Sequence, residues 1–460
     1  STLSPIDYTI DKYLYNNEID SAILLINKIL SNVELSSLEK GRLKIKLGAC
    51  LFQNNEITKS IRILNSGTSD IISDFDKIDS LTLKLYLDAL ILQSNNYRLL
   101  QSYDTALFYL ENVENELNGI NKNEMYYSLK AEVYTWKGLV YYDKGFLKQA
   151  LNYTRSAINI RREHITSSCK IADNYLLISE IYTYKEDFEK AILYQHKALS
   201  IVKDCYTDTS LFYAEKVNNL GLIYYESKDY NKALYYFQIC HDILTKHLHN
   251  NSPYFASTYN NLGDVYCKLG DIEKGIIQYQ KALNTYIENG YYEDTKVIYH
   301  NLGNAYTSLG NYTLAYENYN KSLEIFKKYS SDKNVFTCFT YQQLGKLAII
   351  QNQYKHALNY FNLAIIQVCD TSVIDNNFTK EILRNSIISE VELLESLYYK
   401  GSIEYSLFKQ DNNYKYLTTS IKTFTLATQL IDIIRNKFDS EESKILINKI
   451  REPLLSNFLV

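Results

Sequence analysis

The chain has 460 residues, with 49 Lys and Arg against 53 Asp and Glu and a formal net charge of −4; no basic run is long enough to follow a phosphate backbone, so nucleic acid is not an expected partner. No apolar stretch approaches the roughly 18 residues of a membrane span, and no basic n-region precedes an apolar h-region, so no membrane contact is expected either. Three prolines are far below the roughly 5% norm, which lets helix follow helix without interruption.

Seven cysteines, at 50, 169, 205, 240, 267, 338 and 369, are scattered, odd in number and without a CxxC pair. That usage predicts reduced, packed thiols in a cytoplasmic chain, with no disulfide framework, no zinc site and no other cofactor.

Taken in chain order, residues 1–130 contain helical hairpins with partial anchors, around Ala22, around Leu47-Gly48 with Asn55, and around Ala106 with Tyr109. Residues 131–370 carry six regular repeats. The first two hold Gly138, Tyr141, Gly145, Ala150 and Ala157, then Tyr175, Tyr182, Phe188, Ala191 and Ala198. The next are clearer: Leu220-Gly221 with Tyr224, Tyr230, Ala233 and Phe237; Leu262-Gly263 with Tyr266, Gly270, Gly275, Tyr279 and Ala282; Leu302-Gly303 with Tyr306, Gly310, Ala315 and Tyr319. A last copy has Leu344-Gly345 with Tyr354, Ala357, Phe361 and Ala364. The glycines at 221, 263, 303 and 345 recur in steps of 42, 40 and 42 residues. Residues 371–460 read as a degenerate repeat and capping or connector helices, with Gly401 and Tyr405, an insertion at 410–416, and second-helix anchors at Phe424 and Ala427.

Each anchor has a packing reason. Gly in the first helix lets the second helix approach closely, and the aromatic residue fills the space beside it. Gly or Asn at the turn accepts the left-handed conformation that ends the first helix.

These small-and-large anchors resemble the tetratricopeptide repeat, in a long-period form similar to that of kinesin light chains, against the roughly 34 residues of the basic unit. The resemblance implies an all-α, right-handed superhelical α-solenoid of tandem helix-turn-helix repeats, with first helices lining a concave groove for a protein or peptide ligand. The segment 426–435, followed by Phe438 to Lys444, resembles the connector that joins bacterial tetratricopeptide arrays to CHAT domains, which are caspase- and separase-like cysteine peptidases. That resemblance implies a sensor or regulatory arm of such a peptidase, whose catalytic domain would adjoin beyond Val460. The alternative is a free-standing adaptor, or the sensor arm of a histidine kinase or transcriptional regulator.

No catalysis is expected in the chain itself. None of its histidines precedes a glycine, and Leu47-Gly48-Ala49-Cys50 falls on a helical anchor, where Cys50 reads as a packed thiol rather than a nucleophile. No GxGxxG, GxxxxGK[ST] or HExxH motif occurs.

The expected groove is defined by position. Two residues before each repeat glycine stand Asn219, Asn261, Asn301 and Gln343, a carboxamide column able to hydrogen-bond an extended peptide backbone. One residue earlier are Asn218, Asn260 and His300; Asn304 follows Gly303, in line with Leu222, Asp264 and Lys346. Trp136 holds the column position in an earlier repeat and is a candidate anchor. The lining lacks the Lys and Arg set that would clamp a carboxylate terminus, which argues against a co-chaperone role.

Overall fold

A computed structural model describes residues 8–10, 12–13, 18–75, 78–165, 169–248, 252–329, 333–369 and 388–437. Phe438 to Lys444 and His249 lie outside them. Among the described residues the chain is helical with no β-strand; Cys369 forms a single isolated bridge.

The chain divides into two compact units, Ser1–Tyr182 with Leu193–Cys205, and Thr183–Ile192 with Tyr206–Val460. The first contains α1 (Ile19–Asn32), α2 (Ser37–Gln53), α3 (Ile57–Ile72), α4 (Ser80–Leu99), α5 (Tyr103–Leu117), α6 (Glu124–Asp143), α7 (Leu147–His164) and most of α8 (Lys170–Tyr184), with the C-terminal part of α9 (Phe188–Tyr206). Here α2 pairs with α3, α4 with α5 and α6 with α7. The second contains α10 (Leu211–Glu226), α11 (Tyr230–His247), α12 (Tyr254–Lys268), α13 (Ile272–Glu288), α14 (Thr295–Ser308), α15 (Tyr312–Tyr329), α16 (Val335–Ile350), α17 (Tyr354–Val368), α18 (Glu390–Asp411) and α19 (Tyr414–Lys437). These pair consecutively, α10 with α11 through α18 with α19, and each pair packs on the next. The result is a tandem solenoid of helical hairpins.

Local chemistry sets the helix ends. Ser36 and Glu39 form a capping box at α2, satisfying two otherwise orphan amides. Asp229 and Asp271 accept from the backbone N–H of Lys232 and Lys274 at the starts of α11 and α13, placing a carboxylate at the positive end of each helix dipole.

The turn inside each hairpin needs one residue with positive φ. Gly145, Gly270 and Gly310 fill it at φ 83, 89 and 73°, and Asn55, Asn352 and Asn412 at 60, 59 and 52°. Gln101, Glu186 and Lys228 take the same place at 58, 58 and 65°, where a Cβ costs about 1–2 kcal/mol. Lys228→Gly should therefore stabilise the second unit by about 0.5–1 kcal/mol, once the greater unfolded-state entropy of glycine is subtracted. A higher urea midpoint checks this; an unchanged or lower one would show that the strain is absent.

The seam within each hairpin closes on the repeat glycines. A Cβ on Gly221, Gly263, Gly303 or Gly345 would come within 2.5–2.6 Å of the ring of Phe237, Tyr279, Tyr319 or Phe361. All four rings are buried, so the second helix rests on the bare backbone of the first.

One expectation about cysteine needs correction. Cys169 and Cys205 form a disulfide with Cα atoms 6.1 Å apart, so these two are not reduced thiols. Cys169 immediately precedes α8 and Cys205 lies in the last turn of α9; antiparallel alignment brings the beginning of one helix beside the end of the other. Cys50, Cys240, Cys338 and Cys369 are buried free thiols and Cys267 is partly exposed. Burial pushes Cys50 up to about 11, which leaves it protonated and a poor nucleophile. No described helix is long and apolar enough to cross a membrane.

Candidate functional site

The first helices of the second unit, α10, α12, α14 and α16, present one polar face built by the repeat register. Two columns run along it, at two and three residues before each repeat glycine. They interlock: Asn261 Nδ2 donates to Asn218 Oδ1 at 2.9 Å, and Asn301 Nδ2 donates to Asn260 Oδ1 at 2.9 Å. Each carboxamide on one helix thus clasps the column beside it on the preceding first helix.

This changes what the column does. Side chains expected to be solvated and free instead spend their N–H groups on joining repeats at Asn261 and Asn301. Asn219 and Gln343 stand at the two ends of the run, partly exposed, and their side chains bond to no other described residue. The carbonyl oxygens of Asn261 and Asn301 likewise accept nothing from the described residues. Along the column, the side-chain acceptors therefore remain available while the amide nitrogens of Asn261 and Asn301 are engaged.

The neighbouring column departs from expectation at His300. Its imidazole is 8% exposed and lies 3.0 Å from Thr340 Oγ1 through Nδ1, between the rings of Tyr319 and Phe336 at 5.7 and 5.3 Å. Burial pushes it down to about 4, so it is a neutral core residue, not a groove contact. The physical reason is an aromatic, amphipathic ring at a seam position that accepts it into the core. Gln342, in the same column, is also buried and donates to Ser396 Oγ at 3.0 Å and the Glu392 carbonyl at 3.1 Å, joining α16 to α18.

Just after each repeat glycine a further set appears. Tyr279 O–H donates to Asp264 Oδ1 at 2.5 Å, and Tyr319 O–H donates to Asn304 Oδ1 at 2.8 Å. Where the residue after glycine is Leu222 or Lys346, the anchor fifteen residues later is Phe237 or Phe361. The hydroxyl is present where an oxygen awaits it. The sequence carries this signal in the choice between Tyr and Phe, which ring packing alone does not distinguish. Lys346 instead pairs with Glu395 at 2.8 Å.

Asp264 stands at the centre of this face. It accepts from Tyr279, from Asn301 Nδ2 at 3.3 Å and from Asn260 Nδ2 at 3.3 Å. Desolvation pushes its carboxyl up to about 6, against the opposing pull of the Tyr279 hydrogen bond and the Lys268 charge. Beside it opens a cavity of about 330 Å³ bounded by Tyr225, Asp264, Lys268, Tyr279, Asn304 and Ser308. Asn301 also lines it, so the column and the cavity are continuous.

Trp136 belongs to the first unit, on α6. It packs partly buried against the core of that unit, with the Arg98 guanidinium 5.8 Å from its ring. Arg98 is itself held by Asp143 at 2.6 Å. Trp136 is thus engaged within its own unit.

No group of three or more His, Cys, Asp or Glu able to hold a metal occurs among the described residues.

Comparison with known proteins agrees with the hairpin geometry. Family models of the tetratricopeptide repeat match residues 213–288, 254–315 and 294–365, and a further one matches 172–204. No curated protein matches the chain. Among solved structures it is similar to the apo form of RapI, at 15% identity over 85% of this chain and 97% of that one, with a TM-score of 0.54. It is also similar to the apo form of the quorum sensor NprR from B. thuringiensis, at 15% identity over 80% and 99%, with a TM-score of 0.53. At such identities the likeness is one of fold. Residues 172–204 and 213–365 carry tetratricopeptide repeats, and the described residues form an all-α solenoid of tandem hairpins.

Proposed function

We propose that this scaffold binds an extended peptide, or an extended segment of a protein, along the first helices of its second unit. The observation that carries the reading is the row of unspent acceptors on Asn219, Asn261, Asn301 and Gln343. Repeated along successive first helices, they can accept from the N–H groups of a peptide that leaves water and must keep its hydrogen bonds. At Asn261 and Asn301 the interlocked donors hold the acceptors in place, so less side-chain entropy is lost on binding there.

The narrower reading, an arm that regulates an attached CHAT-type peptidase, rests on the sequence resemblance of residues 426–444 alone. A coding sequence that continues past Val460 with strands, a His-Gly and a later Cys would support it. A membrane span or histidine-kinase motif there would favour the other signalling role.

Peptides selected against the chain from a displayed random library test the broader reading. The double variant Asn219→Ala, Gln343→Ala removes only amides that make no bond to a described residue, so melting should be unchanged. Each lost hydrogen bond is worth about 0.5–1.5 kcal/mol, and affinity should fall roughly tenfold. Selected peptides that bind the double variant as tightly as the parent would place the ligand elsewhere.

A further inference from the structure

In the second unit, Asp264 is a desolvated carboxylate beside an open cavity, and its electrostatics are left unbalanced. Its three hydrogen-bond partners, Tyr279, Asn301 and Asn260, are all neutral donors. No described cation lies within ion-pair distance of its carboxylate. More solvated acid residues on this unit have such partners: Asp229 is 2.9 Å from Lys232 and Asp271 is 2.6 Å from Lys274. The least solvated of these three carboxylates is therefore the unpaired one, an arrangement that burial ordinarily penalises.

The cavity beside it supplies room for the missing charge. At about 330 Å³ it lies at the small end of ligand pockets, a size suited to one side chain rather than a cofactor. Its other polar walls come from Tyr225, Asn301, Asn304 and Ser308, rich in oxygen and without an arginine. Lys268, one turn beyond Asp264 on α12, lies at the edge with its side chain exposed and forms no ion pair with Asp264.

We propose that this cavity receives a cationic nitrogen of the bound peptide, as the counter-ion of Asp264, with the neutral donors holding the carboxylate oriented toward it. This rests on the peptide-scaffold reading and adds to it the chemistry of one ligand position. The cation could be a Lys or Arg side chain, or a free amino terminus; both offer several N–H donors to Asp264 and the surrounding oxygens. An anionic group would meet an unshielded carboxylate and is excluded.

The groups facing Asp264 respond to pH in a simple way. Tyr279 on α13, Tyr225 on α10 and Cys267 on α12 are pushed up by burial and stay neutral at and below neutral pH. Lys268 contributes an opposing positive charge, and α14 offers the neutral Asn301. The carboxyl, pushed up to about 6, is then the group that changes charge between pH 7 and 5. Capture of a cationic ligand should weaken across that interval.

The probe is a positional-scanning hexapeptide library, amidated at its C-terminus, with each position fixed in turn as Arg, Lys, norleucine, citrulline or Glu. One copy is N-acetylated and one has a free amine. On the full chain at pH 7, the acetylated library should show Arg or Lys captured at least about tenfold better than norleucine, citrulline or Glu at one position. Alternatively, the free-amine library should exceed the acetylated one by a similar factor, which assigns the cation to the amino terminus. Either preference should vanish in Asp264→Asn, which keeps the shape and removes the charge, and should strengthen in Lys268→Gln, which removes a competing positive charge. Equal capture of Arg and citrulline by the parent together with equal capture of the free-amine and acetylated libraries, or a cationic preference that survives in Asp264→Asn, overturns the assignment while leaving the scaffold reading intact. Failure to capture any hexapeptide overturns both.

Discussion

Tyr319→Ala should cost the second unit about 3–5 kcal/mol, the range for deleting a buried aromatic side chain. The ring is 1% exposed and fills the space left by the absent Cβ of Gly303, on which a methyl would sit 2.5 Å from Cδ1 and Cε1. It belongs to a core that includes Ala315, Leu323, Tyr341 and Leu344, so its loss opens a void in that core. Two companion changes divide the effect. Tyr319→Phe keeps the ring but strands the Asn304 acceptor, 2.8 Å from the hydroxyl, and should cost about 1 kcal/mol. Gly303→Ala keeps the hydroxyl but forces a rigid ring aside, and should cost about 1–3 kcal/mol. Urea midpoints of the three variants check the order, with Tyr319→Ala the least stable, Gly303→Ala next and Tyr319→Phe nearest the parent. A Gly303→Ala variant as stable as the parent would mean that the two helices do not meet through bare backbone.

The hairpin seam was legible because each of its requirements leaves a mark at one position. A missing Cβ at Gly221, Gly263, Gly303 or Gly345 and a large ring sixteen residues later are both local facts, repeated at a fixed step. The cysteine pair was not. The closeness of Cys169 and Cys205 depends on how far α8 and α9 slide along one another, and that hairpin lacks the Leu-Gly mark that would set its register. The groove was half legible. Position alone placed Asn219, Asn261, Asn301 and Gln343 on one face, but it could not say that Asn261 and Asn301 would turn toward the preceding repeat while Asn219 and Gln343 would not. That follows from the partner one repeat upstream: Asn218 and Asn260 offer oxygens, whereas the buried ring of His300 turns to Thr340. Asp264 was visible as one of several mixed groove residues. Its lack of an ion-pair partner is a tertiary property: Lys268 lies at the edge of the same cavity yet forms no ion pair with it.

Two buried titratable groups on this face should pull the stability of the protein in opposite directions as pH falls. His300 is pushed down to about 4 by burial, against about 6.5 in an unfolded chain. Between those values the unfolded state binds more protons, so stability is lost as pH falls from about 6.5 through 4, in total about 3 kcal/mol. Asp264 is pushed up to about 6, against about 3.9 unfolded. There the native state binds more protons, and its contribution is fully present below about 3.9 and lost as pH rises through 6, again about 3 kcal/mol. In the parent the two nearly cancel. Removing either exposes the other. Relative to the parent, Asp264→Asn should lose about 3 kcal/mol of stability between pH 6.5 and 4. His300→Gln, which keeps a polar group facing Thr340, should gain a similar amount over the same interval. Urea unfolding at half-unit steps from pH 4 to 7 gives both difference curves, from which carboxylates common to all three proteins drop out. Difference curves of the same sign, or flat ones, would show that the His300 ring and the Asp264 carboxylate are solvated rather than enclosed by the first-helix face.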